Sequence, residues 1–229
     1  MGYGSALAKV LSSIPSGLVR RASEPREQLT ALPTGLTGLD TLLGGGWARS
    51  RLNMLEPGPS ASTGRTTIAS STVAAVTAAG MQAAWIDGDG SLDLDSLAAT
   101  GTVFERLLWV RGPLGTDRVM KAASQVISSG VFEVVVLRPS GERWSSGAAM
   151  QWARLSREAG ATRTTVLVLA GSPGMPIPGS YGVFFSPMLT RWTGPFGQAG
   201  FLDGATIQVN ADDDGATSIP ATADYGGLQ

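Results

Sequence analysis

Two residue types are missing from this 229-residue chain: it has no cysteine and no histidine. The first absence excludes disulfides and thiolate nucleophiles, and the second removes the usual general base of hydrolytic triads. Together they exclude ordinary zinc sites, which draw on those same ligands. Charge is sparse, at 15% of residues. No apolar run approaches the roughly 20 residues of a membrane-spanning helix, and the N-terminus lacks a charged-then-apolar signal pattern, so no membrane contact is expected and the expected location is the cytoplasm. A strong basic excess is absent too. Beyond Trp192 the chain carries Asp203, Asp212, Asp213, Asp214 and Asp224 but no Lys or Arg, which leaves a net +4 on residues 1–192 against −1 for the whole. A mildly basic body with an acidic tail gives only weak electrostatic support for nucleic acid as a direct ligand.

What is present is a globular composition, 43% hydrophobic with 31 glycines, of a length that suits one domain with short extra segments. Residues 1–30 read as an N-terminal arm, partly helical or disordered. Leu7, Val10, Leu11 and Ile14 have the spacing of a short amphipathic helix, and Pro15 and Pro25 interrupt it. Residues 31–210 read as the folded domain and residues 211–229 as an acidic disordered tail.

Within the domain, apolar runs alternate with helical patterns. Strands are expected at 51–56, 83–87, 107–111, 131–137 and 164–170, and helices at 66–79, 116–129 and 146–159. This alternation predicts an α/β fold: a mostly parallel, twisted sheet flanked by helices on both faces. Short strand patterns at 183–191 and 206–210 predict antiparallel strands at the C-terminal edge.

The most informative stretch is Gly58-Pro59-Ser60-Ala61-Ser62-Thr63-Gly64-Arg65-Thr66-Thr67. It has the outline of a phosphate-binding loop, G-x-x-x-x-G-K-[ST], whose backbone N–H groups and lysine wrap phosphates while the hydroxyl holds magnesium. Gly64 and Thr66 are in place. Five positions before Gly64, however, stands Pro59, which has no N–H to donate, and Arg65 replaces the lysine. Taken structurally, Ser62 or Thr63 would cap the following helix, and Gly64 would let it pack closely on the strand.

Around this loop lie Leu32-Pro33-Thr34-Gly35-Leu36-Thr37-Gly38-Leu39-Asp40, the triplet Gly44-Gly45-Gly46, and Trp85-Ile86-Asp87-Gly88-Asp89. In this order, over roughly residues 32–140, they resemble the core of the RecA recombinase family. The eroded motifs are most similar to the ImuA group, RecA-like accessory proteins of bacterial damage-induced mutagenesis cassettes.

The resemblance implies a RecA-like core and a role in DNA damage tolerance. The implied partners are an ImuB-type inactive Y-family polymerase homologue and an error-prone replicative-type polymerase, acting together in translesion synthesis. The family's magnesium-orienting aspartate corresponds to Arg138, which would repel the ion. Its water-activating glutamate corresponds to Asp89, shorter by a methylene. With Pro57 and Pro59 also removing donors, ATP hydrolysis is not expected, no catalytic residue is named, and no cofactor or metal is assigned. Gly64, Arg65 and Thr66 are what is left of the phosphate loop.

For DNA, the candidates are Arg138, Arg143, Arg154, Arg157 and Arg163, interleaved with Trp144 and Trp152, with Arg143, Arg154 and Arg157 foremost. The N-terminal arm and the C-terminal edge strands are the expected protein-docking regions. Two other readings stay open: an ATP-dependent DNA-binding RecA paralogue, and a cell-division inhibitor of the SulA type on a similar scaffold.

Overall fold

The computed structural model describes residues 31–57, 64–139, 148–171, 180–185, 189–193, 201–211 and 215–221. The arm at 1–30, Gly58 to Thr63 of the loop, Arg143 and Trp144 therefore lie outside the described residues.

Six strands form the parallel body of one sheet, in the spatial order β8 (Tyr181–Phe185), β3 (Leu52–Glu56), β7 (Thr165–Leu169), β6 (Val134–Arg138), β4 (Ala83–Asp87), β5 (Leu107–Arg111). Beyond β8 the sheet turns antiparallel through β10 (Phe201–Ala211) and β11 (Gly215–Ala221), and β9 (Leu189–Thr193) also pairs with β10. The central strands β6 and β7 are runs of Val and Leu with almost every residue buried, as a sheet covered on both faces requires.

Successive residues along a strand point to opposite faces, and the core divides accordingly. On one face Leu55, Trp85, Val134, Val136 and Leu167 pack against Ile68, Val73 and Val76 of α2 (Arg65–Ala78) and Leu97 of α3 (Leu94–Ala99). On the other, Ile86, Val135, Leu137, Val166 and Val168 meet two helices. These are α4 (Thr116–Ser128), through Val119, Ala123 and Ile127, and α5 (Ala148–Thr162), through Trp152, Leu155 and Ala159. The small side chains of α2 let it lie close to the sheet, and Ala69, Ser70 and Ala74 are buried along with its larger residues.

A small antiparallel pair, β1 (Ala31–Leu32) with β2 (Trp47–Ala48), brackets the short helix α1 (Thr37–Leu42). Its sequence explains its shape: the Asp40 carboxylate accepts the Thr34 N–H at 2.7 Å and holds the Thr-Gly-Leu turn. The unit is fastened to α2 by a buried relay in which Trp47 Nε1 donates to Thr72 Oγ1 at 2.9 Å and Thr72 Oγ1 donates to the Thr34 carbonyl at 3.1 Å.

Two expectations need correction, and one element is added. The run 183–191 is not one antiparallel strand. It is divided between β8, which joins the parallel body beside β3, and β9 on β10, with Pro187 among the residues between them. Residues 215–221 are not a disordered tail but β11, paired with β10 from Ala205↔Ala221 to Ala211↔Gly215. The acids Asp212 to Asp214, which weighted the composition toward disorder, fall between the two strands. Pro220 is tolerated because β11 is an edge strand, where one ladder side is unpaired. Helix α3 was not foreseen. It is six residues long, and its start is fixed by Asp93, whose carboxylate accepts the N–H groups of Asp95 and Ser96.

Candidate functional site: the crevice at the carboxyl ends of the strands

Ligands of open α/β sheets bind beyond the carboxyl ends of the strands. Here a cavity of about 210 Å³ opens there, between the ends of β6 and β7, the turn after β4 and the first turn of α2, with Arg65, Thr66, Asp89, Arg138 and Ala170 on its walls.

Gly64 takes the left-handed conformation at the start of α2, with φ 74° and ψ 7°. Glycine is required twice over: a non-glycine residue would be strained at that φ, and an added Cβ would lie 2.3 Å from Ile207 Cδ1. Ile207, buried on β10, thus seats the C-terminal strands directly on the base of the loop.

Arg65 does not project into the cavity as a free cation. Its Nη1 donates to the Leu55 carbonyl at 3.2 Å and to the Ala170 carbonyl, the ends of β3 and β7. Burial, and then the nearby Arg138 charge, lower its pKa to about 10.

Arg138, at the end of β6, donates from Nε to Asp89 Oδ2 at 2.8 Å and from Nη1 to Thr66 Oγ1 at 3.4 Å. Asp89 is held from the other side by Ser91, whose hydroxyl donates to Oδ1 at 2.8 Å. Burial pushes the Asp89 carboxyl up, but the hydrogen bonds from Ser91 and Arg138 outweigh it and leave the group below the usual carboxylate range. Asp87 is fully buried, its oxygens accepting the N–H groups of Ser91 at 3.2 Å and Leu92 at 3.0 Å. It shapes the turn that presents Asp89. The Gly88 N–H donates to the Arg138 carbonyl at 2.8 Å, so turn and strand end are joined by backbone as well as by charge.

The structure therefore brings Arg65, Thr66, Asp89 and Arg138 together, with Gly64 at their base. In this arrangement a guanidinium stands between the hydroxyl and the carboxylate that would otherwise face a cation. Among the described residues no group of three or more acids, histidines or cysteines is placed to hold a metal ion.

Among the described residues, the arginines named for DNA do not form one surface. Arg138 is in the crevice, whereas Arg163 follows α5 at the amino end of β7. Arg154 is 65% exposed and donates to Glu158 at 2.7 Å and to Ser124 at 3.1 Å; Arg157 is exposed. Trp152 is core, 1% exposed, and is not available for base stacking.

A family model described as the RecA N-terminal domain matches residues 5–141. The chain belongs to the RecA family. The match begins within the N-terminal arm and takes in the loop, Asp89 and Arg138. Among similar proteins, Protein RecA of Nocardia farcinica is 37% identical over 134 residues, 58% of this chain and 38% of that protein. Protein RecA of Mycobacterium tuberculosis strain H37Rv is 37% identical over the same length but only 17% of it is covered. Protein RecA of Kineococcus radiotolerans is 36% identical over 135 residues. The chain thus spans less than two fifths of the curated relatives it matches. Its mostly parallel sheet flanked by helices is a RecA-like core. Among the described residues no helix is long and apolar enough to cross a membrane.

Proposed function

We propose that this RecA-family chain is a non-catalytic adaptor of DNA damage tolerance, which helps assemble an error-prone polymerase complex for translesion synthesis in the cytoplasm. The observation that supports it is the Arg138–Asp89 ion pair closing over Thr66. A catalytic phosphoryl-transfer site needs a metal ion bridging phosphate oxygens and a carboxylate free to orient water. Here the carboxylate is tied to a guanidinium, and the arginine at the lysine position is turned into two backbone carbonyls.

With its chemistry lost, the scaffold acts through its surfaces: the N-terminal arm, and the edge formed by β9 to β11. Its partners in this reading are the ImuB-type polymerase homologue and the replicative-type polymerase, with a weak DNA contact through Arg143, Arg154 and Arg157. Pull-down of the polymerase homologue in nucleotide-free buffer tests it. Retention at near-stoichiometric level is expected, and equal retention of unrelated proteins would end the proposal.

The identity of more than a third to RecA proteins over 134 residues favours a second reading, an ATP-dependent DNA-binding paralogue with an altered loop. DNA-stimulated phosphate release that disappears in Arg65→Ala would support that reading and overturn the first.

A further inference from the structure

We infer that the guanidinium of Arg138 is the resident cation of the crevice, a positioning group built into the chain that bridges helix α2 and the 88–92 turn in place of a bound metal ion. The inference rests on the non-catalytic reading above and adds to it what holds the crevice in shape.

Three elements that share no covalent neighbourhood converge on this side chain. Thr66 comes from the first turn of α2, Asp89 from the turn after β4, and Arg138 itself from the end of β6. The hydroxyl and the carboxylate are oxygen groups of the kind that bind a hard cation. Between them lies a delocalised cation whose separate N–H groups reach both, at 2.8 Å to the acid and 3.4 Å to the hydroxyl. A planar guanidinium suits this task, because its donors are fixed in a fork and it stays charged.

The geometry around the bridge is closed as well. Asp89 is oriented by Ser91, Gly88 is bonded to the Arg138 carbonyl, and Arg65 ties the adjoining ends of β3 and β7. With Ile207 against Gly64, the first turn of α2 is pinned without any ligand. On this account the guanidinium contributes both the positive charge and the cross-link, and removing it leaves Asp89 and Thr66 unbridged, one carboxylate and one hydroxyl that are too few ligands to hold a divalent ion until a second acid is supplied.

Thermal melts of the full chain test this, using Arg138→Met, Arg138→Asp, Asp89→Asn and the Arg138→Met/Asp89→Asn double variant in chelator, in magnesium and in manganese. Arg138→Met is expected to lower the midpoint by about 2 to 4 °C, with the double variant losing less than the sum of the singles. Arg138→Asp is expected to melt lower still in chelator, since it gathers carboxylates, and to recover in magnesium or manganese, while the wild type and Arg138→Met do not respond. Additive losses in the cycle, or an Arg138→Met variant that melts with the wild type, would overturn the inference. So would an Arg138→Asp variant that folds but ignores both metals; if it fails to fold, the cycle alone decides. A rise of the wild-type midpoint with ATP and magnesium is a different outcome: it overturns the non-catalytic reading beneath the inference.

Discussion

Each end of the parallel sheet is fastened by an arginine–acid pair, and the two pairs differ in their surroundings. At the amino end, Arg49 donates from Nη1 to Glu133 and from Nε to the Ala31 carbonyl at 3.2 Å, joining the β1–β2 unit to the entry of β6. At the carboxyl end, Arg138 joins Asp89 to a helix hydroxyl on the wall of a cavity. The two pairs are similarly half-buried, with arginine side chains 30% and 32% exposed. Chemistry of the same kind therefore has unequal consequences. The amino-end pair, which lies on a cavity of its own of about 350 Å³ with Gln82 and Arg163, is expected to act as a clasp whose loss costs stability alone, whereas on the proposed reading the carboxyl-end pair also governs what the crevice can hold.

The glycines at the two ends should break the comparison most sharply. Gly64→Ala combines a left-handed φ with a Cβ 2.3 Å from Ile207, and overpacking added to backbone strain is expected to cost about 3 kcal/mol in urea unfolding. Gly130→Ala at the amino end has a similar φ, 66°, but its Cβ would lie 3.9 Å from Thr162. It should lose only about 1 kcal/mol. Equal losses would mean that the Ile207 contact does not clamp the loop.

Arg49→Met is expected to cost about 1 kcal/mol, as half-exposed pairs do, and to leave metal and nucleotide responses unchanged. A change in either response would remove the distinction between the ends.

The acid limb of the stability curve sharpens the comparison further. Asp89 titrates below its ordinary value in the folded chain, where Ser91, Arg138 and Asp87 act on it and Arg65 lies on the wall of the same cavity. Its contribution is therefore present above the unfolded carboxyl pKa, about 3.9, and is lost as pH falls through the lower folded value. Wild type and Asp89→Asn should differ at neutral pH and converge in acid. A gap that persists below that range would show that the charge of Asp89 is not the source.

Arg154→Ala, which removes an exposed helical pair with Glu158, is expected to change stability by under about 0.5 kcal/mol. If Arg154 contacts DNA, the loss should appear instead in salt-dependent binding of single strands by an Arg154→Ala/Arg157→Ala variant.

Much of this was legible in the residues because the local signals were unopposed. Ala83–Asp87 and Leu107–Arg111 are bounded as the apolar runs predict, and α4 and α5 bury the faces that their periodicity marks. The β11 strand was hidden by the acids before it, and α3 was too short to show a period. In the crevice, the departures at positions 89 and 138 were each visible along the chain. Their union was not, because the two residues are 49 positions apart and meet only when β4 and β6 lie side by side in register, Asp87 opposite Arg138. An acid beside the end of one strand and an arginine at the end of its neighbour were the available signal, read separately as two losses. In the fold they are one interaction. Nothing in sequence spacing indicated Ile207 against Gly64 or Arg65 against the Ala170 carbonyl, both of which depend on how the C-terminal half returns to the loop.

The central claim is that the crevice is held by the chain's own cations and not by a magnesium-bound nucleotide. Titration calorimetry of the purified chain with ATP, in the presence and absence of magnesium, tests it most directly. No magnesium-dependent heat of binding is expected, and a micromolar affinity that requires magnesium would contradict the account.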